Sequence, residues 1–242
     1  MEYQITKTEE TMLKAIISSP EVEGFLETTY DFARMMTFYK CAILEIETKF
    51  NVLSEETALK FDRQPISSIQ SRLKSLSGIM KKMRKKGLAM SPENIEANIH
   101  DIAGVRVICS FQDDVYALAQ ALERQDDIEI IKVKDYIKNP KENGYRSLHM
   151  IVSVPVFFEK ETRQVKVEVQ LRTIAMDSWA SLEHQLRYKK KANFTQEMSN
   201  ELKACADLSA ELDKKMNALK EQVDTDRENN TLLDYLNQEL FG

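Results

Sequence analysis

The chain has 242 residues, 43% hydrophobic and 30% charged, enough for one large globular domain with helical extensions and no covalent staple. Its three cysteines, Cys41, Cys109 and Cys205, are odd in number and lack CxxC spacing, so neither a disulfide framework nor a zinc site is indicated. A net charge of -5 argues against a dedicated DNA or RNA binder, and a start without signal-peptide character, with no long apolar run, predicts a soluble, cytoplasmic protein with no membrane contact.

After Ser19-Pro20, an N-cap with proline at the first helical position, apolar or small residues recur at Val22, Phe25, Thr29, Phe32, Met36, Tyr39, Ile43, Ile46 and Phe50. Their three-and-four spacing predicts one long amphipathic helix. A second helix is predicted from Pro65 to a stop at Gly87, with Ile66, Ile69, Leu73, Leu76, Met80 and Met83 on its apolar side. Its other side carries most of a cationic patch: Lys60 to Lys86 holds nine basic residues and one acid, Asp62, a local +8 against -13 for the rest of the chain. Such a patch on an acidic protein suits a compact polyanion, such as a nucleotide phosphate tail.

From Ala103 to Thr173 the period changes. VRVICSF (105–111), IEIIKVK (128–134), YRSLHMIVSV (145–154) and QVKVEVQLR (164–172) read as strands, with a helix over 113–125 between the first two. Helices follow over 174–191 and 196–222. In the latter, Met198, Leu202, Cys205, Ser209, Leu212, Met216, Leu219 and Val223 keep a heptad-like spacing that fits either packing on its own domain or subunit association. From Asp224 to Gly242 the polar tail is expected to fray. The fold class is therefore α+β, a mixed central sheet flanked by helices, with long N- and C-terminal helices. Residues 1–20 form an extension, 21–195 the main domain, and 196–242 a C-terminal helical segment and tail.

Alternation in QVKVEVQLRT puts Val165, Val167, Val169 and Leu171 on one face and Lys166, Glu168, Gln170 and Arg172 on the other, where they are either solvated or line a site. In HDIAGVRVIC, Asp101 and Arg106 bracket the entry to an apolar strand. An acid there is either a turn cap or a ligand for a hard cation. The His100-Asp101 pair does not make an HD phosphohydrolase, because the further histidine ligands are missing. KENGYRSLH (141–149) is a turn that releases into a strand, with Tyr145, Ser147 and His149 on one face and Lys141 before them; it is either a hairpin turn with a packed tyrosine or a surface that stacks a base and holds phosphates. With no GxxxxGKS loop and six glycines in all, any triphosphate must be held by side chains such as those of Arg72, Lys74, Lys82 and Lys85.

RLKSLSGIMKKMRKK, HDIAGVRVIC, KENGYRSLH, VEVQLRT and ASLEHQLRYK, in that order, resemble the synthetase domain of the RelA/SpoT family, and its stand-alone members, the small alarmone synthetases, most of all. The resemblance spans roughly residues 25 to 220. It implies a nucleotidyltransferase-like fold over 21–195, an oligomerisation role for 196–242, and Mg2+-dependent transfer of pyrophosphate from ATP to the ribose 3′-hydroxyl of GDP or GTP. Synthesis without hydrolysis is expected. It further implies adenine between Arg72 and Arg106, ATP phosphates on Lys74, Lys82 and Lys85, and Asp101 and Glu168 as the catalytic and metal-binding acids. Guanine would stack on Tyr145, with Lys134, Lys141, Arg146 and His149 near the acceptor phosphates, Gln170, Arg172 and Asp177 beside it, and Glu183 and His184 as an EH pair. Asp177 stands where some relatives have asparagine, which leaves acceptor preference open, and Lys85 stands where arginine is common. A homotetramer is the implied assembly, and binding of a regulatory RNA or of the alarmone itself is compatible with this reading.

Overall fold

A computed structural model describes residues 20–189 and 194–241, with side chains described over 29–187 and 194–225. The extension over 1–19, with its Ser19 cap, lies outside the described residues. In chain order the elements are α1 (Pro20–Phe61), β1 (Ile66–Leu73), α2 (Leu76–Lys86), α3 (Pro92–Asn98), β2 (Ala103–Cys109), α4 (Gln112–Glu123), β3 (Glu129–Asp135), β4 (Leu148–Phe157), β5 (Thr162–Thr173), α5 (Ile174–Lys189) and α6 (Gln196–Phe241).

The five strands form one mixed sheet in the order β1-β2-β5-β4-β3, parallel only between β2 and β5. Its apolar face, with Val105, Val107, Val152, Val167, Val169 and Leu171, packs under α1 and α4. From α1 the predicted stripe delivers Tyr39, Ile43, Ile46 and Phe50, joined by Met35, Phe38 and Ala42, all buried. Each large side chain so buried contributes about 1.5–3 kcal/mol. The polar file of β5 occupies the opposite face.

The helix predicted from Pro65 is two elements. Ile66 to Leu73 is an edge strand, and helix begins only at Leu76, capped by the Ser75 hydroxyl, which accepts from the Gly78 amide. The reason is a register shift between Ile66 and Ser68. One extra residue at a bulge restores the same face three positions later, so Ile66 and Ile69 both turn inward and imitate helical spacing. The α2 helix then buries Ile79 and Met83, ends at Gly87 with φ 67°, and places Arg84, Lys85 and Lys86 at its negative end. At the C-terminus, α6 runs on to Phe241 instead of ending near 222, since no proline or glycine interrupts the chain before Gly242.

Candidate active site

The polar face of the sheet carries two adjoining clefts. In the first, Arg72 on β1 and Arg106 on β2 flank Gly104, with Gln70, Ser71 and Gln170 completing the walls. Arg72 lies opposite Gly104 in the register, so the two guanidinium groups come from neighbouring strands and face a shared slot. A Cβ at Gly104 would meet Arg72 Cγ and Nε at 3.4 Å, which is why the slot floor is bare backbone.

The second cleft, about 670 Å³, opens between α2, the turn before β2, and strands β3 and β4. Lys82, Lys85, Lys134 and Lys141 line it, with Asp101 and Glu168 at its floor. Asp101 Oδ2 accepts from Lys82 at 2.5 Å and lies 3.2 Å from Lys74. Burial alone would raise the Asp101 carboxyl, but the Lys82 hydrogen bond and both ammonium charges outweigh it and hold the pKa below the ordinary value. Its other oxygen, Oδ1, is buried without a partner.

That bare oxygen, beside a second carboxylate, is what a hard divalent cation requires. Among the described residues no group of three or more His, Cys, Asp and Glu side chains could hold a metal. Asp101 and Glu168 therefore fit Mg2+ as a pair that would leave its remaining positions to water and phosphate, the usual arrangement for this ion.

Glu168 sits mid-strand on β5. Its Oε2 accepts from Gln170 Nε2 at 2.9 Å, its Oε1 lies 3.7 Å from His149 Nδ1, and Arg72 approaches to 3.8 Å. Burial pushes this carboxyl up, yet His149 and Gln170 bring it below its ordinary value despite the nearby charge of Asp101. At 3.7 Å the imidazole acts as a close polar neighbour, short of a formed hydrogen bond.

A relay of bonds runs on from Glu168. Arg172 Nη2 donates to the Tyr145 hydroxyl at 2.6 Å, which leaves the phenolic proton for His149 Nε2 at 2.8 Å and assigns the imidazole proton to Nδ1, facing Glu168. Arg172 Nη1 also donates to Asp177 Oδ1 at 2.9 Å, and Arg106 Nη1 reaches the same oxygen at 3.4 Å. Asp177 thus neutralises one arginine from each cleft. Burial, and then the charge of Arg172, lower the Arg106 pKa.

Tyr145 is half-buried, with two cations against its ring. Lys141 Nζ lies 4.6 Å from its ring centroid and 4.7 Å from that of Tyr136, whereas Arg172 covers Tyr145 at 5.1 Å. Tyr136, together with Lys132 and Lys86, was not singled out from sequence. Strand alternation carries the signal, because 132, 134 and 136 share one face of β3 and its exit.

Two expectations need correction. Ser147 does not share the pocket with Tyr145 and His149. The strand begins only at Leu148, and the fully buried Ser147 hydroxyl donates to the Leu171 carbonyl, joining β4 to β5. Arg146 turns away from the cleft to the Ala206 carbonyl of α6 at 2.8 Å and to Asp207 at 3.3 Å. On α5, Glu183 accepts from Asn143 at 3.4 Å and pairs with Arg187, bracing the turn before Tyr145. His184 is exposed on the same helix.

The chain is similar to a known group of proteins. Residues 71–193 match the family described as the region found in RelA / SpoT proteins. The chain is 43% identical to the GTP pyrophosphokinase YwaC of Bacillus subtilis over 194 residues, 80% of this chain and 92% of that protein. The chain belongs to the RelA/SpoT family. Within that family it is also 32% identical to GTP pyrophosphokinase YjbM of Bacillus subtilis, over 78% of this chain and 89% of that protein. Its fold matches the crystal structure of small alarmone synthetase 2 from Bacillus subtilis with a TM-score of 0.72 at 43% identity, covering 79% of this chain and 99% of that one. It matches small alarmone synthetase 1 of the same organism, bound to its product pppGpp, with a TM-score of 0.71 at 31% identity over 80% and 98%. No helix among the described residues is long and apolar enough to cross a membrane.

Proposed function

We propose that this RelA/SpoT-family chain synthesises (p)ppGpp, transferring the pyrophosphoryl group of ATP to the ribose 3′-hydroxyl of GDP or GTP and releasing AMP. The observation that carries this reading is the meeting of two clefts at one carboxylate: Arg72 of the Arg72–Arg106 slot approaches Glu168 to 3.8 Å, and the cleft walled by Lys141 and His149 has Glu168 and Asp101 at its floor. The relatives named GTP pyrophosphokinase, and the relative with bound pppGpp, support it.

In this reading adenine lies between the two guanidinium planes, a stacking that a planar delocalised cation favours. Lys74, Lys82 and Lys85 take the triphosphate. Guanine stacks on Tyr145, so the Lys141 ammonium leaves the ring and meets the acceptor phosphates with Lys134. The acceptor 3′-oxygen attacks the β-phosphorus of ATP, the bond from that phosphorus to the α,β-bridging oxygen breaks, and AMP departs with that oxygen. Glu168, deprotonated at neutral pH, receives the 3′-hydroxyl proton, while Gln170 and His149 hold it in place. Asp101 and Glu168 would hold Mg2+, which would supply charge neutralisation on the transferred group. Most of the rate comes from alignment of two held substrates.

Hydrolysis of the product is outside this proposal, as is a membrane location; the cytoplasm, where both nucleotides are made, is the expected compartment. Exposed apolar residues on α6, among them Leu208, Leu212, Leu219 and Val223, support self-association, with a tetramer favoured. The deciding experiment incubates the purified chain with ATP, Mg2+ and GDP or GTP and separates the nucleotides by anion exchange. Appearance of ppGpp or pppGpp in step with AMP is the expected result, and intact ATP with and without added product would overturn it.

A further inference from the structure

We propose that α6 sets the shape of the guanine-nucleotide pocket, and that Arg146 is a positioning residue in this contact, with no part in holding phosphate. The proposal rests on the assignment of Tyr145 to the acceptor. The loop that carries Tyr145 is pressed against α6 at Gly144: a Cβ there would stand 2.5 Å from the Ala206 Cβ, and φ is +86°, so only glycine allows both the backbone shape and the approach. On the far side of Tyr145, Arg146 spends its donors on α6. Nη1 donates to the Ala206 carbonyl at 2.8 Å and the Gly144 carbonyl at 3.3 Å, and Nη2 donates to Asp207 Oδ1 at 3.3 Å. Tyr145 is thus flanked in sequence by two contacts to one helical turn.

For a helix to act as a stop it must itself be fixed, and α6 is fixed at three points between Leu202 and Asn217. The Trp179 indole donates to the Leu202 carbonyl at 2.8 Å, Thr173 Oγ1 donates to Asp213 at 2.6 Å, and Asn217 Nδ2 donates to Asp113 at 2.8 Å. Thr173 also accepts from the Met176 amide at the start of α5 and directly follows Arg172, the donor to the Tyr145 hydroxyl. The platform on which guanine stacks is therefore held from both ends by an element more than fifty residues away in sequence, outside the clefts. Among the described residues the side-chain bonds of α6 to this end of the sheet go to the Tyr145 loop and Thr173, and none goes to Asp101, Arg72 or Arg106.

The test is calorimetric titration of the full chain, in its wild-type form and as Arg146→Met and Ala206→Leu, with GTP, GDP and GMP, and with a non-hydrolysable ATP analogue. Both variants are expected to weaken all three guanine nucleotides by the same factor, on the order of tenfold, as for loss of one charge-assisted hydrogen bond. The ATP analogue should change by less than about twofold, a small fraction of that loss. An Arg146→Met defect that grows with phosphate number makes Arg146 a phosphate ligand and overturns the proposal. So does an Ala206→Leu protein that binds like wild type. If the leucine variant does not fold, Ala206→Val, a smaller intrusion, takes its place with the same two outcomes. A wild-type chain that binds no guanine nucleotide removes both this proposal and the synthetase reading, whereas normal wild-type binding with unaffected variants removes this one alone.

Discussion

Replacing Glu168 by glutamine separates chemistry from architecture. The amide keeps an oxygen for the Gln170 donor now at 2.9 Å and keeps the side-chain volume on β5. What it loses is the ability to accept a proton, for which a positioned general base contributes about 10² to 10⁴ in rate. That is about 2.7 to 5.4 kcal/mol in activation free energy. The stability cost is much smaller. The ionic neighbour Arg72 is 3.8 Å away with its side chain 59% exposed, so that pair is screened and worth less than about 1 kcal/mol, and the neutral His149 imidazole at 3.7 Å is short of a formed hydrogen bond. For a chain of this size that corresponds to a Tm shift of at most about 4 °C. Initial rates of AMP release at saturating substrates, beside a melting curve, give both quantities. A kcat within about tenfold of wild type refutes the proton-acceptor role. A fall in kcat that follows a collapse of ATP affinity moves Glu168 from base to phosphate-metal ligand.

Three further outcomes are expected. Asp101→Asn loses on the order of a hundredfold or more in rate. Because the folded pKa of Asp101 is depressed, its stabilising effect is present above the unfolded carboxylate value and disappears as pH falls through the folded value, so the Tm deficit of the variant should be seen at neutral pH and close in acid; an equal deficit at both ends refutes the pairing with Lys74 and Lys82. Tyr145→Ala should raise the Kd of the guanine nucleotide by about tenfold, in line with one lost stacking contact, while Tyr145→Phe keeps the ring and loses less; equal losses would assign the effect to the hydroxyl network. Asp213, buried and bonded to Thr173, has a raised pKa through burial, so its contribution is greatest in acid and is lost as pH rises through the folded value. Asp213→Asn, which retains an acceptor for Thr173, should raise the Tm at pH 7 and match wild type in acid, and a lower Tm at pH 7 contradicts this.

Most of the sheet was readable because burial on one face leaves a period of two, and Val165, Val167, Val169 and Leu171 are buried as the alternation of β5 requires. The edge strand β1 was not, since its bulge gives Ile66 and Ile69 helical spacing. The short α3 helix carries its own start signal in Ser91-Pro92, but seven residues are too few for an apolar period to show. The cationic patch was legible as a patch and misleading as a unit. Lys74, Lys82 and Lys85 reach the clefts, whereas Arg63 leaves for a two-bond pair with Asp114 and Lys60 pairs with Glu56 on its own helix. Which cation faces a site depends on tertiary neighbours that local pattern does not encode. Arg146 and Ser147 illustrate the same limit within three residues of Tyr145.

The one parallel pairing in the sheet explains why both clefts border Glu168. In the β2–β5 register Gly104 lies beside Glu168 and Arg106 beside Gln170, so the floor of the Arg72–Arg106 slot and the polar file of β5 are hydrogen-bonded neighbours. On the other side of β5, His149 of β4 pairs with Gln170 and Ile151 with Glu168, which brings the second cleft to the same carboxylate from the opposite direction. Glu168 is therefore bounded on both sides by backbone ladders, and the separation of the two clefts is set by strand spacing, a distance that thermal motion changes little. Asp177 crosses the same gap at the level of charge, holding Arg106 and Arg172 to one oxygen. A reaction that asks the protein mainly to align two phosphorylated substrates is served by a sheet in which neither substrate site can shift without breaking a ladder shared with the other.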